Sequence, residues 1–224
     1  MPSINELLEG SVSSRQPLFS DLFSKLQRDI LTGRLTPGQK LTEQKISDEY
    51  EVSRTPVREC LRQLEADGLV ENIPNRGAFV VGLTRENVRD IFLIKKSAEV
   101  QAVRWAVERI TDPELEQLEE AFNYMAFYTK KGDVAKMINI NQAFHAIIYR
   151  ATHNQILERQ LATYQTYIRY ALPASYFIPG YMDTLLEEHR AIYSAFLTKD
   201  PSAGEQATRT HLERAYVRHY GPSL

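Results

Sequence analysis

Cysteine occurs once in this chain of 224 residues, at Cys60. No intrachain disulfide can form, and such sparing use fits a reducing cytoplasm. No apolar run approaches the length needed to span a membrane. The first ten residues, MPSINELLEG, lack a basic start followed by an apolar stretch, so no secretory signal is expected. Neither sign of charge dominates: the formal net charge is −2, with 10 Lys+Arg against 12 Asp+Glu in residues 1–80 and 17 of each in residues 81–224. That balance excludes a protein that grips nucleic acid through bulk positive charge. Any DNA contact must depend on locally placed arginines and be strongly salt-sensitive. Also absent are an H-E-x-x-H zinc motif and a glycine-rich phosphate loop. There are no repeats, low-complexity segments or heptad seams. A content of 43% hydrophobic and 25% charged residues is that of an ordinary globular chain, with room for two small domains or one medium one.

What is present centres on residues 43–67, EQKISDEYEVSRTPVRECLRQLEAD. They read as two helices joined by a tight turn at Glu51 and Val52. Thr42 is the expected N-cap of the first helix, and Ser53 or Thr55 that of the second. Pro56 sits just inside the second helix. Val57, Leu61 and Leu64 form its expected buried stripe. Cys60, within the same helix, reads as a small packing residue. Arg54, Arg58 and Arg62 recur every four residues and share one face. A helix of this kind suits a DNA major groove. The same arginines also fit a solvated face paired with Glu59 and Glu65.

Around this unit the chain reads in order. Residues 1–17 are expected to be a flexible arm. Residues 18–32 carry a helical stripe through Phe19, Leu22, Phe23, Leu26 and Ile30, closed by Gly33. Pro37-Gly38 marks a turn. Two short strand-like runs at 69–73 and 78–81 flank the turn 74–77, a hairpin. Three helices and a hairpin make a winged helix-turn-helix over residues 18–81, with Arg76 at the tip placed to reach a phosphate or the minor groove. Residues 82–85 read as the linker, with Gly82 as a pivot. From there strand signals vanish. Six helices are expected, at 84–109, 112–131 (capped by Asp112), 134–151, 155–172, 181–197 and 201–220, with a loop at 173–180. They form a six-helix antiparallel bundle over residues 86–220. The fold class is mostly α.

At this point the residues resemble a known family. ILTGRLTPGQKL (30–41) is similar to the I-x-x-G-x-L-x-P-G-x-x-L pattern of the GntR family of bacterial repressors. SRTPVRE (53–59), LRQL (61–64) and DGLV (67–70) resemble its recognition helix and the start of its wing, and RGAFV (76–80) its wing tip. The all-helical second half resembles the FadR-like subgroup, whose effector domain is called FCD. NQAFH (141–145) is similar to the D-x-x-F-H motif, and Glu188-His189 and Thr210-His211-Leu212 to the later E-H and H-L signatures.

The resemblance implies DNA contacts by Arg34, Gln44, Ser53, Arg54, Thr55, Arg58, Arg62, Arg76 and Gly77. It implies a divalent metal, zinc or nickel, at Asn141, His145, His189 and His211, and a small carboxylate effector, whose far end is expected to pair with either Lys95 or Arg104 on the first bundle helix. Asn141 stands where the family carries an acid, Gln44 where many members carry a DNA-contacting arginine, and Lys95 where an arginine is common. Of the other histidines, His153 reads as a turn residue, and His219 as a cation favoured by the end of the last helix.

The expected function is a cytoplasmic, dimeric transcription regulator that binds a palindromic operator in double-stranded DNA, with no membrane. Its operator affinity changes with the bound acid. Two alternatives compete: a metal-dependent enzyme with a DNA-binding or structural appendage, in which three imidazoles and an open metal position activate water, and an architectural DNA protein without effector. The large helical part argues against the second.

Overall fold

Leu22, Leu26 and Ile30 repeat at a spacing of four and are all buried, which makes α1 (Leu18–Leu31) an amphipathic helix. Gly33 follows at φ 77°, a backbone that L side chains resist, and stops it. In the computed structural model, which describes residues 18–171 and 180–221, α1 belongs to the smaller of two compact units, and the chain passes from one to the other between Val88 and Arg89. The expected arm at 1–17, and the loop at 173–180 up to residue 179, lie outside the described residues.

The small unit continues with β1 (Lys40–Leu41), α2 (Glu43–Glu49), α3 (Arg54–Ala66), β2 (Val70–Ile73) and β3 (Gly77–Val80). Thr42 caps α2, its hydroxyl accepting from the Lys45 amide at 3.3 Å. Ser53 is the N-cap of α3 by backbone geometry, without a side-chain cap bond. The buried residues of α3 are Val57, Cys60 and Leu64. Cys60 thus takes the core position expected of Leu61, which is only half buried. Its small thiol lets α3 lie close to α1, with Sγ 3.6 Å from the Phe19 carbonyl, and burial pushes its pKa up to about 11.

The strands pair antiparallel in the order β1-β3-β2, with Leu41 opposite Ala78 and Val70 opposite Val80. The hairpin turns where Asn75 and Gly77 adopt φ 61° and 95°. β1 was not expected, because two residues are too short for any period to register. Three helices and this sheet are a winged helix-turn-helix.

Among the described residues, the large unit holds six helices: α4 (Arg85–Arg109), α5 (Asp112–Lys131), α6 (Val134–Ala151), α7 (Gln155–Ala171), α8 (Tyr181–Leu197) and α9 (Pro201–Tyr220). Thr84 and Asn87 start α4 with a reciprocal pair of side-chain-to-amide bonds, both 3.1 Å. Thr111, not Asp112, caps α5. Its side chain and that of Glu114 form a capping box, and Asp112 becomes the first helical residue. Gly132 at φ 69° ends α5. Phe144, Ile148, Met125 and Phe196 are fully buried at the centre, each contributing about 1.5–3 kcal/mol of apolar burial. Gly204 lets α9 approach α4 closely, since a β-carbon there would stand 3.1 Å from Val103 and 3.2 Å from Val107.

Candidate functional site

The first candidate surface is the exposed side of α2, α3 and the hairpin. Arg54, Arg58 and Arg62 are exposed on α3, as are Ser53 and Thr55. They are not loose. The Arg58 Nε donates to both carboxylate oxygens of Glu43 at 2.7 and 2.8 Å, and this bond holds the Glu43 carboxyl below its usual range. Arg54 donates to the Gln44 amide oxygen, and Gln44 in turn donates to Asp48 at 2.6 Å. Arg58, Arg62, Arg76 and Lys40 line a groove of about 680 Å³ between α3 and the hairpin, with Gly77 in its wall. The Arg76 guanidinium lies 5.6 Å from the centre of the Phe79 ring. Arg34 is committed elsewhere. It pairs with buried Asp29 at 3.1 Å and with Glu49 at 2.9 Å, while the Tyr50 hydroxyl also donates to Asp29 at 2.6 Å. Arg34 therefore braces α1 against α2, although its side chain stays 61% exposed.

The second candidate lies inside the helical unit. His145 on α6, His189 on α8 and His211 on α9 are buried, and their ligating atoms all lie within 4.8 Å of one another. Each Nδ1 faces an acceptor. That of His145 is 2.7 Å from Glu99 Oε1, that of His189 is 2.7 Å from the Leu185 carbonyl, and that of His211 is 2.8 Å from Glu188 Oε2. The Leu185 carbonyl can only accept, so His189 carries its proton on Nδ1 and leaves Nε2 as an acceptor, and the ionised Glu99 beside His145 Nδ1 favours the same tautomer there. The Nε2 atoms of His145 and His189 face each other at 3.1 Å. With these tautomers, a hydrogen bond there requires one ring to be a buried imidazolium. Burial opposes this, holding the His145 pKa below its usual range despite Glu99, and that of His189 well below. A cation at that point satisfies both nitrogens. The spacing is close to the roughly 3.3 Å between donors of a tetrahedral site with bonds of about 2.0–2.1 Å. The donor set therefore fits a divalent metal held by imidazole, such as zinc or nickel.

Asn141, one turn before His145 on α6, lines a cavity of about 80 Å³ beside the cluster, together with Lys95, His145 and His211. Lys95 is buried and pairs with the Glu99 carboxylate. Arg104 stands apart. It does not line this cavity but pairs with Glu205 at 3.2 Å and Glu108 at 3.7 Å on a half-exposed part of α4. It lies nine residues beyond Lys95, about 13–14 Å along the helix.

Residues behind the histidines were not read from the sequence. Glu99 is fully buried and collects Lys95, His145 and the Tyr149 hydroxyl, the last at 2.8 Å. Burial opposes its ionisation, but Lys95 and His145 outweigh that and hold the carboxyl well below its usual range. Glu188 receives Arg218 through both oxygens at 2.7 and 2.9 Å. The available signal was an acid set among Ala98, Val100, Ala102 and Val103.

His219 also lines the cavity, where burial, with Arg218 adding to it, pushes its pKa down to about 4. An imidazole in the unfolded chain titrates near ~6.5. The folded pKa is the lower one. Below pH ~6.5 the unfolded chain binds a proton that the folded chain refuses, so stability falls between about pH 6.5 and 4. Lys95, Arg169, His145 and His211 share the cavity and add no carboxylate that would reverse the sign. The midpoint of thermal unfolding should drop across that window, and His219→Gln should flatten the drop. An unchanged acid slope in the variant would remove His219 as its source.

Residues 18–80 match the family model described as bacterial regulatory proteins, gntR family, and residues 90–214 match the FCD domain. The chain is 28% identical over 196 residues to the HTH-type transcriptional regulator YdhC of Bacillus subtilis, covering 87% of this chain and 88% of that one. It is 28% identical over 210 residues to the HTH-type transcriptional repressor RspR of Escherichia coli, covering 92% and 90%. Among solved structures, Escherichia coli McbR/YncC superposes with a TM-score of 0.73 at 23% identity, covering 92% of this chain and 98% of that one.

Proposed function

The chain belongs to the GntR family of bacterial regulatory proteins and carries an FCD domain, and from that premise we propose that it is a metal-dependent, acid-responsive repressor. It is a transcription regulator and not an enzyme, as its relatives are. The winged unit binds double-stranded DNA, and the FCD domain binds a small molecule. The finer reading is a homodimer on a palindromic operator, since one winged domain offers too small an interface for high specificity. Its place is the cytoplasm, where that DNA is. Among the described residues, no helix is long and apolar enough to cross a membrane.

One observation carries the metal reading: two buried imidazole Nε2 atoms face each other at 3.1 Å, with an acceptor beside the Nδ1 of each ring. His145, His189 and His211 would hold a zinc or nickel ion, with Asn141 as a neutral oxygen donor. Bound there, the metal supplies a Lewis-acid anchor for a carboxylate oxygen. Glu99 and Glu188 hold the rings in their ligating orientation. Both acids are already balanced, by Lys95 and Arg218. A divalent cation would therefore leave the site positive, a charge that a small carboxylate removes.

The test uses the full-length chain and an operator selected from random duplexes. Operator affinity is measured with and without nickel, across a panel of organic acids. At least one acid should change affinity roughly tenfold, a coupling of about 1–3 kcal/mol. If nickel binds but no acid shifts operator affinity, the effector reading fails. Light scattering should give a dimer at micromolar concentration, and a monomer both free and on the operator would reject the two-fold reading.

On the operator, Arg54 is assigned to base edges through its two-donor fork, and Arg62, with Ser53 and Thr55, to phosphate. Arg58 shares the base contact or holds a phosphate. Arg54→Ala should lose about 1–3 kcal/mol and relax preference at one base pair, while Arg62→Ala should weaken all sequences alike and flatten the salt dependence. Full affinity and preference in Arg54→Ala would mean that α3 is wrongly placed on the DNA.

A further inference from the structure

We propose that Arg169 is the specificity residue of the effector cavity, and that the cavity selects a short dicarboxylate. One carboxylate lies at the histidine cluster and the other on the Arg169 guanidinium. This rests on the reading of that cavity as the effector site.

Three cations matter around the cavity. Lys95 lines it but is neutralised by Glu99. Arg218 stands behind His211 and is neutralised by Glu188. Arg169, on α7, also lines the cavity, yet among the described residues no carboxylate pairs with it. Its two terminal nitrogens donate to neutral amide oxygens instead, one to Gln142 and the other to Asn139 at 3.0 Å. A half-buried guanidinium held by two amides, with the centre of the Tyr170 ring 5.5 Å away, keeps its full positive charge. The two amides also fix the plane of its fork, so little freedom remains to be lost when a carboxylate arrives.

The placement fits a ligand with two acidic ends. Asn139 and Gln142 stand on the same helix as His145, six and three residues before it. The helix rise over those intervals is about 9 and 4.5 Å, the scale of a short chain with a carboxylate at each end. A cavity of about 80 Å³ is far below the ~300–1,000 Å³ of pockets for larger ligands, which excludes a long acyl chain. Gln165, one turn before Arg169 on α7, adds a further amide to the wall.

The experiment is calorimetric titration of the full-length protein, metal-free and nickel-loaded, with malonate, succinate, glutarate and butyrate. The best dicarboxylate should bind roughly 10–100-fold more tightly than butyrate, the range expected of a charge-assisted, two-bond contact. Arg169→Met should close that gap while leaving butyrate affinity and nickel stoichiometry unchanged, and Arg169→Lys should restore part of it. Arg169→Gln serves if the Met variant does not fold. Equal binding of mono- and dicarboxylates by the native protein overturns the proposal. So does a variant that keeps the gap, or one that weakens butyrate as much as the dicarboxylate, since the last marks a merely structural arginine. If nickel does not bind but the Arg169-dependent gap persists, the metal reading falls and Arg169 stands. If no acid binds in any state, both fall.

Discussion

Glu99→Gln is expected to destabilise the helical unit by about 3–5 kcal/mol, the cost of removing one partner from a buried ion pair. Glutamine keeps the shape and can still accept from Tyr149. It cannot neutralise Lys95, whose ammonium is itself buried, and it weakens the acceptor that fixes His145. Tyr149→Phe offers a graded control. It removes one hydrogen bond to the same carboxylate and should cost about 1–3 kcal/mol. Urea unfolding of the metal-free protein measures both. A loss below 1 kcal/mol in Glu99→Gln would mean that Lys95 and Glu99 are not an ionised pair.

The second large effect concerns metal affinity. His189→Ala removes one of three imidazoles and should lower nickel or zinc affinity by more than roughly 100-fold, beyond the ~10–100-fold typical of losing an outer partner. Glu188→Gln, which loosens His211 without removing a ligand, should fall within that smaller range. Asn141→Asp should tighten binding, because a carboxylate is a stronger donor than an amide and offsets the cation's charge. Competition with a chelating dye ranks the four proteins. Uptake of neither metal by the native chain at neutral pH, with no change in any variant, would leave the pocket to recognise its ligand through side chains alone.

Much of this architecture is legible in the sequence, and particular residues show why. Glycine, proline and capping residues punctuate the second half so clearly that α6 and α8 fall at the expected residues, 134–151 and 181–197. The three histidines stand at matching places on successive motifs, and the fold brings them together. What escaped is what periodicity cannot carry. β1 is two residues long. Leu61 and Cys60 are adjacent, so helical phase alone did not decide which is buried. Lys95 and Glu99 have the i,i+4 spacing of an ordinary surface pair, and only the packing of α4 reveals that both are inside. Arg104 shares that helix with Lys95, and nothing in the chain says that it has turned toward Glu205. Arg169 belongs to no motif, and its meaning comes from Gln142 and Asn139 across the interface between α6 and α7.

The pinned imidazoles have a consequence for proton balance. A metal site usually expels protons as it fills, because its ligands are protonated beforehand. Burial holds His145 and His189 below their usual range, which favours the neutral rings, and each Nδ1 lies beside an acceptor on the side away from the cluster. In that state, occupying their Nε2 lone pairs displaces nothing. For these two rings the heat of binding carries no contribution from buffer ionisation, and their share of the affinity is flat across neutral pH. In the proposed regulator, such a site would follow its ligand and metal rather than modest swings in the acidity of its surroundings.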